Sequence, residues 1–153
     1  MGGPSVPVHL TEFMKGRGRP GRNGPVDGDR RRTIYQEIRR NFLPPFLMIF
    51  DYPPPATTMG RRSTSNVPAQ SLALMNDPLV RQQAERWAKR LVSSEQPVEE
   101  IWWAAFTRAP RPDERQSTQA YLDARIAEGM AREQALAELC HVVFNLKEFV
   151  FLP

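Results

Sequence analysis

The sequence predicts a mainly α fold: a compact multi-helix domain with an irregular Gly/Pro/Arg-rich N-terminal arm and an extended C-terminal tail. Three observations carry this. From Pro68 onward apolar residues recur three and four positions apart, the spacing of one helix face. Helix punctuation separates those stretches: Asp77 before Pro78, then Pro97, Pro112 and Gly129. Seven of the nine glycines and four prolines fall within residues 1–29, where added backbone freedom and missing donors disfavour regular structure. The domain organisation that follows is an irregular basic arm over 1–29 and one helical domain over 30–153.

Taken in chain order, Asp29–Asn41 spaces Ile34, Tyr35, Ile38 and Phe42 for one face of a short helix. Leu43–Tyr52 is apolar and bracketed by Pro44, Pro45 and Pro53, Pro54, Pro55, which favours an extended buried crossing. A short helix covers Pro68–Met75. Asp77 then caps a helix that opens on Pro78 and runs to Val92, with Val80, Ala84, Trp87, Ala88 and Leu91 as its stripe. Pro97 opens the next, with Glu99 and Glu100 in its positive first turn. Its apolar residues are Val98, Ile101, Trp102, Ala105 and Phe106; Trp103 points elsewhere, which predicts burial on two sides. After Pro112, the residues Ala120, Tyr121, Ala124 and Ala127 form a narrow small-residue face, and Gly129 is the C-cap. The last helix, Ala131–Asn145, keeps Ala135, Leu136, Leu139, Cys140, Val143 and Phe144 on one side. Glu148–Pro153 is apolar and is expected to dock as an extended tail.

With 153 residues, 41% hydrophobic and 25% charged, the chain suits one soluble-type domain with a core of its own. No stretch approaches the roughly 18 uninterrupted apolar residues of a membrane span. The first seven residues lack a basic stretch followed by an apolar one, so no export signal is expected in the chain as written. Charge is uneven. Residues 1–62 carry 11 Lys and Arg against 5 Asp and Glu, and residues 63–153 carry 10 against 12. A basic arm beside a near-neutral body suits an acidic surface or a nucleic acid, and equally a solvated loop.

The residues that carry chemistry are sparse. Cys140 is the one cysteine, so no internal disulfide forms, and its apolar helical setting predicts a buried thiol. His9 lies in the arm; His141 follows Cys140, and adjacent helical side chains diverge by about 100°, which is unsuited to a shared metal. No haem-attachment motif occurs, and neither metal nor cofactor is expected. Asp27-Gly28-Asp29 is a turn rather than a calcium loop. Ser63 and Ser65 lack the glycine flanks of a nucleophile elbow. Lys15-Gly16-Arg17-Gly18-Arg19-Pro20 matches a minor-groove hook, in which Arg17 and Arg19 would meet the negative potential of A·T-rich DNA.

The densest polar stretch is Gly60–Gln70 with Leu74–Pro78. Arg61, Arg62, Asn66, Gln70 and Asp77 either staple a loop to the body, with Asn66 and Asp77 as helix caps, or form a site for an anionic ligand or partner. Arginine forks suit carboxylate, sulfate or phosphate.

These residues resemble a known family. Gly18-Arg19-Pro20-Gly21, Gly24–Gly28, Arg31–Tyr35, Phe50-Asp51, Gly60-Arg61-Arg62, Asn66–Gln70 and Leu74–Pro78 occur in the order seen in domain of unknown function 1553. The later Arg108-Ala109-Pro110, Pro112, Glu114, Phe144-Asn145 and Lys147-Glu148-Phe149 are similar to the same module's end, so the resemblance extends over nearly the whole chain. It weakens the hook, since the Gly-Arg-Pro-Gly segment resembles part of the family's own pattern. It implies the C-terminal module of large planctomycete-type bacterial proteins, exported and often carrying a c-type cytochrome domain and a second uncharacterised domain. The chain then resembles the end of such a protein. Its partners would be other domains or subunits of that cytochrome-containing protein. The resemblance supplies no catalytic residue. The function expected is a non-catalytic helical structural or interaction module; anion binding through the polar stretch and DNA binding through the arm are the alternatives.

Overall fold

The structure, a computed structural model, describes residues 2–55, 58, 60 and 68–151. The fold is mainly helical, and the chain forms two units, Met1–Ala73 and Leu74–Pro153. Among the described residues there is no strand, only an isolated parallel bridge between Val6 and Gln36.

In the first unit the arm is irregular but not coreless. Val8, Leu10 and Phe42 are buried together, with Met14 against them, and Val6 is buried as well. Tight backbone pairing makes this possible. Gly24 N–H donates to Val8 O at 3.0 Å. A Cβ on Gly24 would lie 1.8 Å from Pro7 O, so only glycine admits this approach. The helix expected over Asp29–Asn41 does not form. Two single 3-10 turns, Gly28–Arg30 and Thr33–Tyr35, stand there instead. Asp29 and Arg30 have φ of 56° and 58°, which breaks any helix at its start. Val6 N–H then bonds Tyr35 O, and Glu37 N–H bonds Val6 O, both at 2.8 Å, so groups a helix would need are spent across the chain. Ile34 and Ile38 are consequently exposed. The crossing expected over Leu43–Tyr52 is also not extended. It contains α1, Pro45–Ile49, with proline at its first position, where a missing N–H costs nothing. Phe46 and Phe50 meet at 5.0 Å across its turn.

α2 spans Pro68–Asn76. α3, Pro78–Leu91, begins as the sequence predicts, with the Asp77 carboxylate accepting from Leu79 N–H at 2.8 Å. α4 (Pro97–Phe106), α5 (Pro112–Ala127) and α6 (Arg132–Phe144) each start on or next to the expected punctuation. α3 packs extensively against α6, and α5 contacts α6 as well. Ala84, Ala88 and Ala135 are at most 1% exposed, and these small residues let α3 and α6 approach closely. Val98, Ile101, Trp102, Leu122, Leu136, Leu139, Cys140 and Val143 complete this core.

Three expectations need correction here. Trp103 is 58% exposed, so α4 is buried on one side only. α5 turns Thr118 and Leu122 inward with Tyr121 beside the core, while Ala120, Ala124 and Ala127 face outward. Burying Leu122 and the Tyr121 ring removes more apolar area than burying alanines. The tail is not extended at its start: Lys147–Val150 forms a turn of helix, α7, and Phe149 meets the Phe144 ring at 5.2 Å. Gly129 does close α5. At φ 92° it forms the paired bonds Gly129 N–H to Ile126 O and Met130 N–H to Arg125 O, 3.0 and 3.1 Å.

Candidate functional site

Of the five residues read as an anion or partner site, Gln70 and Asp77 are described; Arg61, Arg62 and Asn66 lie outside the described residues. Gln70 Nε2 donates to Ile49 O at 3.2 Å, tying α2 to the end of α1. Asp77 caps α3. Both therefore bond backbone groups.

In the arm, Arg17 is exposed, and Arg19 Nη1 donates to Met14 O at 2.6 Å. Arg31, part of the family pattern, donates to the carbonyls of Gly2 and Pro4 and lies over the Tyr35 ring at 4.0 Å. His9 Nδ1 sits 3.0 Å from Gly24 O. Each of these four bonds ties side chains of the first unit to backbone carbonyls.

The strongest electrostatic knot lies in the second unit, at residues the candidate site did not include. After α4 ends at the left-handed Thr107, Arg108 turns back over the Phe106 ring, 5.6 Å away. Its guanidinium holds two carboxylates at once. Nη1 and Nη2 donate to Glu114 at 2.8 and 2.9 Å, and Nε and Nη2 donate to Glu148 at 2.8 and 2.7 Å. Glu114 sits in the first turn of α5, Glu148 in α7. Glu114 Oε2 also accepts from Arg111 N–H at 2.7 Å, the reach-back bond of a capping box, and from the buried Trp102 indole at 3.2 Å. The Arg108 guanidinium therefore holds the Glu114 carboxyl down to about 2 and lowers Glu148 as well, while the two carboxylates raise Arg108. All three residues lie in stretches that resemble the family, yet nothing local in the sequence joins them. Glu148 lies 40 positions from Arg108, and no local rule connects them.

A second knot joins α5 to α6. Glu138 accepts from Tyr121 Oη at 2.8 Å and from Arg125 Nε and Nη2 at 3.2 Å. Burial, then Glu138, raises the Tyr121 phenol. Arg132 closes the end of α3, donating to Val92 O and Ser94 O at 3.1 and 2.8 Å.

A groove of about 680 Å³ runs between α3 and α6 over Ala84 and Ala137, rimmed by Arg81, Glu85, Glu133, Glu138 and His141. His141 Nε2 lies 3.0 Å from Leu74 O, which fixes the ring against the end of α2. Cys140 is fully buried, and burial pushes its thiol up to about 12, so it stays protonated. Among the described residues, no three His, Cys, Asp or Glu side chains converge to hold a metal ion, and no helix is long and apolar enough to cross a membrane.

No curated protein and no solved structure matches the chain. The model of a protein family of unknown function, DUF1553 (PSD1), matches residues 1–122. That stretch holds the arm, the polar signature, Arg108 and Glu114. It stops inside α5 at Leu122, so α6 and Glu148 lie beyond the matched residues rather than within them, as the resemblance over nearly the whole chain would have had it. With most of its length covered in one continuous match, the chain belongs to the DUF1553 family of proteins of unknown function.

Proposed function

We propose that the chain is a non-catalytic helical interaction module, which docks through its second unit onto other domains or subunits of an exported, cytochrome-associated bacterial protein. One contrast carries the reading. In residues 74–151 the polar groups are largely spent on the chain itself: Arg108 on two carboxylates, Glu138 on Tyr121 and Arg125, Arg132 on two carbonyls. A catalytic centre needs a shifted group turned toward a substrate, whereas Glu114 and Arg108 are shifted by bonding each other. Apolar side chains, by contrast, are left open. Val142 is 52% exposed near the end of α6, Phe149 and Phe151 are 41% and 47% exposed after it, and Trp103 stands out from α4. The multi-domain setting is what the resemblance to the C-terminal module of larger proteins implies.

The test is light scattering and hydrophobic-dye binding on the isolated chain over a range of concentrations. Dye binding or self-association is expected, falling in a Val142→Ser, Phe149→Ser, Phe151→Ser variant that keeps its helicity. A monodisperse, cooperatively melting monomer that binds no dye removes the reading.

A further inference from the structure

The loop over residues 11–22 is held at its base and decorated at its tip. Gly24 N–H bonds Val8 O at 3.0 Å, and Leu10 N–H bonds the Asn23 side-chain oxygen at 2.6 Å. Val8 and Leu10 are anchored in the first unit's core. Between these ends the chain makes two turns, closed by Met14 N–H to Thr11 O at 3.2 Å and Arg19 N–H to Gly16 O at 3.3 Å. The first turn sends Met14 inward against the core and Phe13 outward. Phe13 is 93% exposed, more than any other large apolar side chain among the described residues. The same loop carries Lys15, Arg17, Arg19 and Arg22, all exposed, against one acid, Glu12. Arg19 is bonded to Met14 O and holds the turn, which leaves Lys15, Arg17 and Arg22 as the loop's other exposed cations.

Folding gains almost nothing from a phenyl group placed this way, since apolar stabilisation scales with area removed from water. A single exposed apolar wedge on a loop rich in exposed cations is what the interface of an anionic bilayer accommodates: the ring enters the headgroup–acyl boundary while the cations meet phosphates. We infer that this loop is a peripheral membrane contact, binding bilayers rich in anionic phospholipid through Phe13, Lys15, Arg17 and Arg22. It involves a different unit from the docking surface proposed above and stands independently of it.

Nucleic acid fits less well. A minor-groove hook lays Arg17-Gly18-Arg19-Pro20 extended along the groove, whereas here this segment enters a turn and the Arg19 guanidinium is engaged within the loop. Single strands are gripped by aromatic residues that stack successive bases, and the loop offers one.

Flotation of the full chain with phosphatidylglycerol–phosphatidylcholine vesicles tests this, beside pure phosphatidylcholine vesicles and at low and high salt. Binding is expected to the anionic vesicles and to weaken with salt. Phe13→Ser is expected to lower it about tenfold, and Phe13→Leu to keep it. The combined Lys15→Gln, Arg17→Gln, Arg22→Gln variant is expected to lose about a hundredfold, at roughly fivefold per cation. Circular dichroism melts of each variant establish that the fold is kept. Absence of flotation at low salt overturns the inference. So does flotation that Phe13→Ser leaves unchanged, which assigns the contact to net charge alone. Binding to duplex or single-stranded DNA that falls with the triple variant, without vesicle binding, gives the loop to nucleic acid instead.

Discussion

At Glu114 three parts of the second unit meet: the Trp102 indole from α4, the Arg108 guanidinium from the following loop, and the Arg111 backbone at the start of α5. An ionised carboxylate suits all three donors, and the Arg108 guanidinium first, then the Arg111 backbone N–H, hold its pKa down to about 2. The consequence for stability has a definite sign. The folded value lies below the ordinary 4.5, so the pairing stabilises fully above that pH and its contribution is lost as pH falls from 4.5 toward 2. Glu148, lowered by the same arginine, adds to the loss in the same direction. Glu114→Gln keeps the shape and removes the charge. We expect it to cost about 1.5–3 kcal/mol at neutral pH, the range for hydrogen bonds to charged groups. It should also make stability less steep across that acid window. Urea titrations at neutral and acid pH check both; an acid limb as steep as in the parent would show that Glu114 does not carry it.

At the scale of elements, helices whose cap and stripe agree were legible in the sequence. Asp77 and Pro78 mark the start of α3, and the α6 stripe from Ala135 to Val143 is buried as expected. Asp77→Ala should therefore lower stability by about 1 kcal/mol, with Asp77→Asn retaining most of it, measured by thermal melts. Elements failed where distant partners overrode local spacing. Ile34, Tyr35 and Ile38 have helical spacing, yet the pairing of Val6 with Tyr35 and Glu37 captures the backbone. The alternation Val6, Val8, Leu10 was a readable signal of a buried extended segment, obscured by the glycines and prolines around it. Gly24 read as arm freedom, but Pro7 O packs where its side chain would be. On α5 the spacing of Ala120, Tyr121, Ala124 and Ala127 marks a narrow small-residue face, while one large residue off that face, Leu122, decides the orientation. Of the candidate site, Gln70 and Asp77 have visible roles as bonds to backbone, and the Arg108 knot was unreadable because its members come from separate elements.

For the whole molecule, the division at Ala73 and Leu74 separates two very unequal cores. The first consists of Val8, Leu10 and Phe42 with Met14 beside them. The second runs through α3 to α6, from Ala84 to Val143. Its supports are internal too: Asp77 caps α3, Arg132 closes it, Gly129 ends α5, and Arg108 binds α5 to α7. Ordering a residue costs about 1–2 kcal/mol of backbone entropy, so an isolated chain folds only when its apolar burial scales with its length. The second core meets that condition far better than the first. A fragment spanning residues 74–153 should therefore be helical alone and unfold cooperatively in urea, while one spanning 1–73 should lack a cooperative transition. Circular dichroism and amide chemical-shift dispersion on the two fragments decide this. A disordered 74–153 fragment would mean that the larger core depends on residues preceding Leu74, and the interaction surface at α6 and α7 would then have to be sought on the full chain alone.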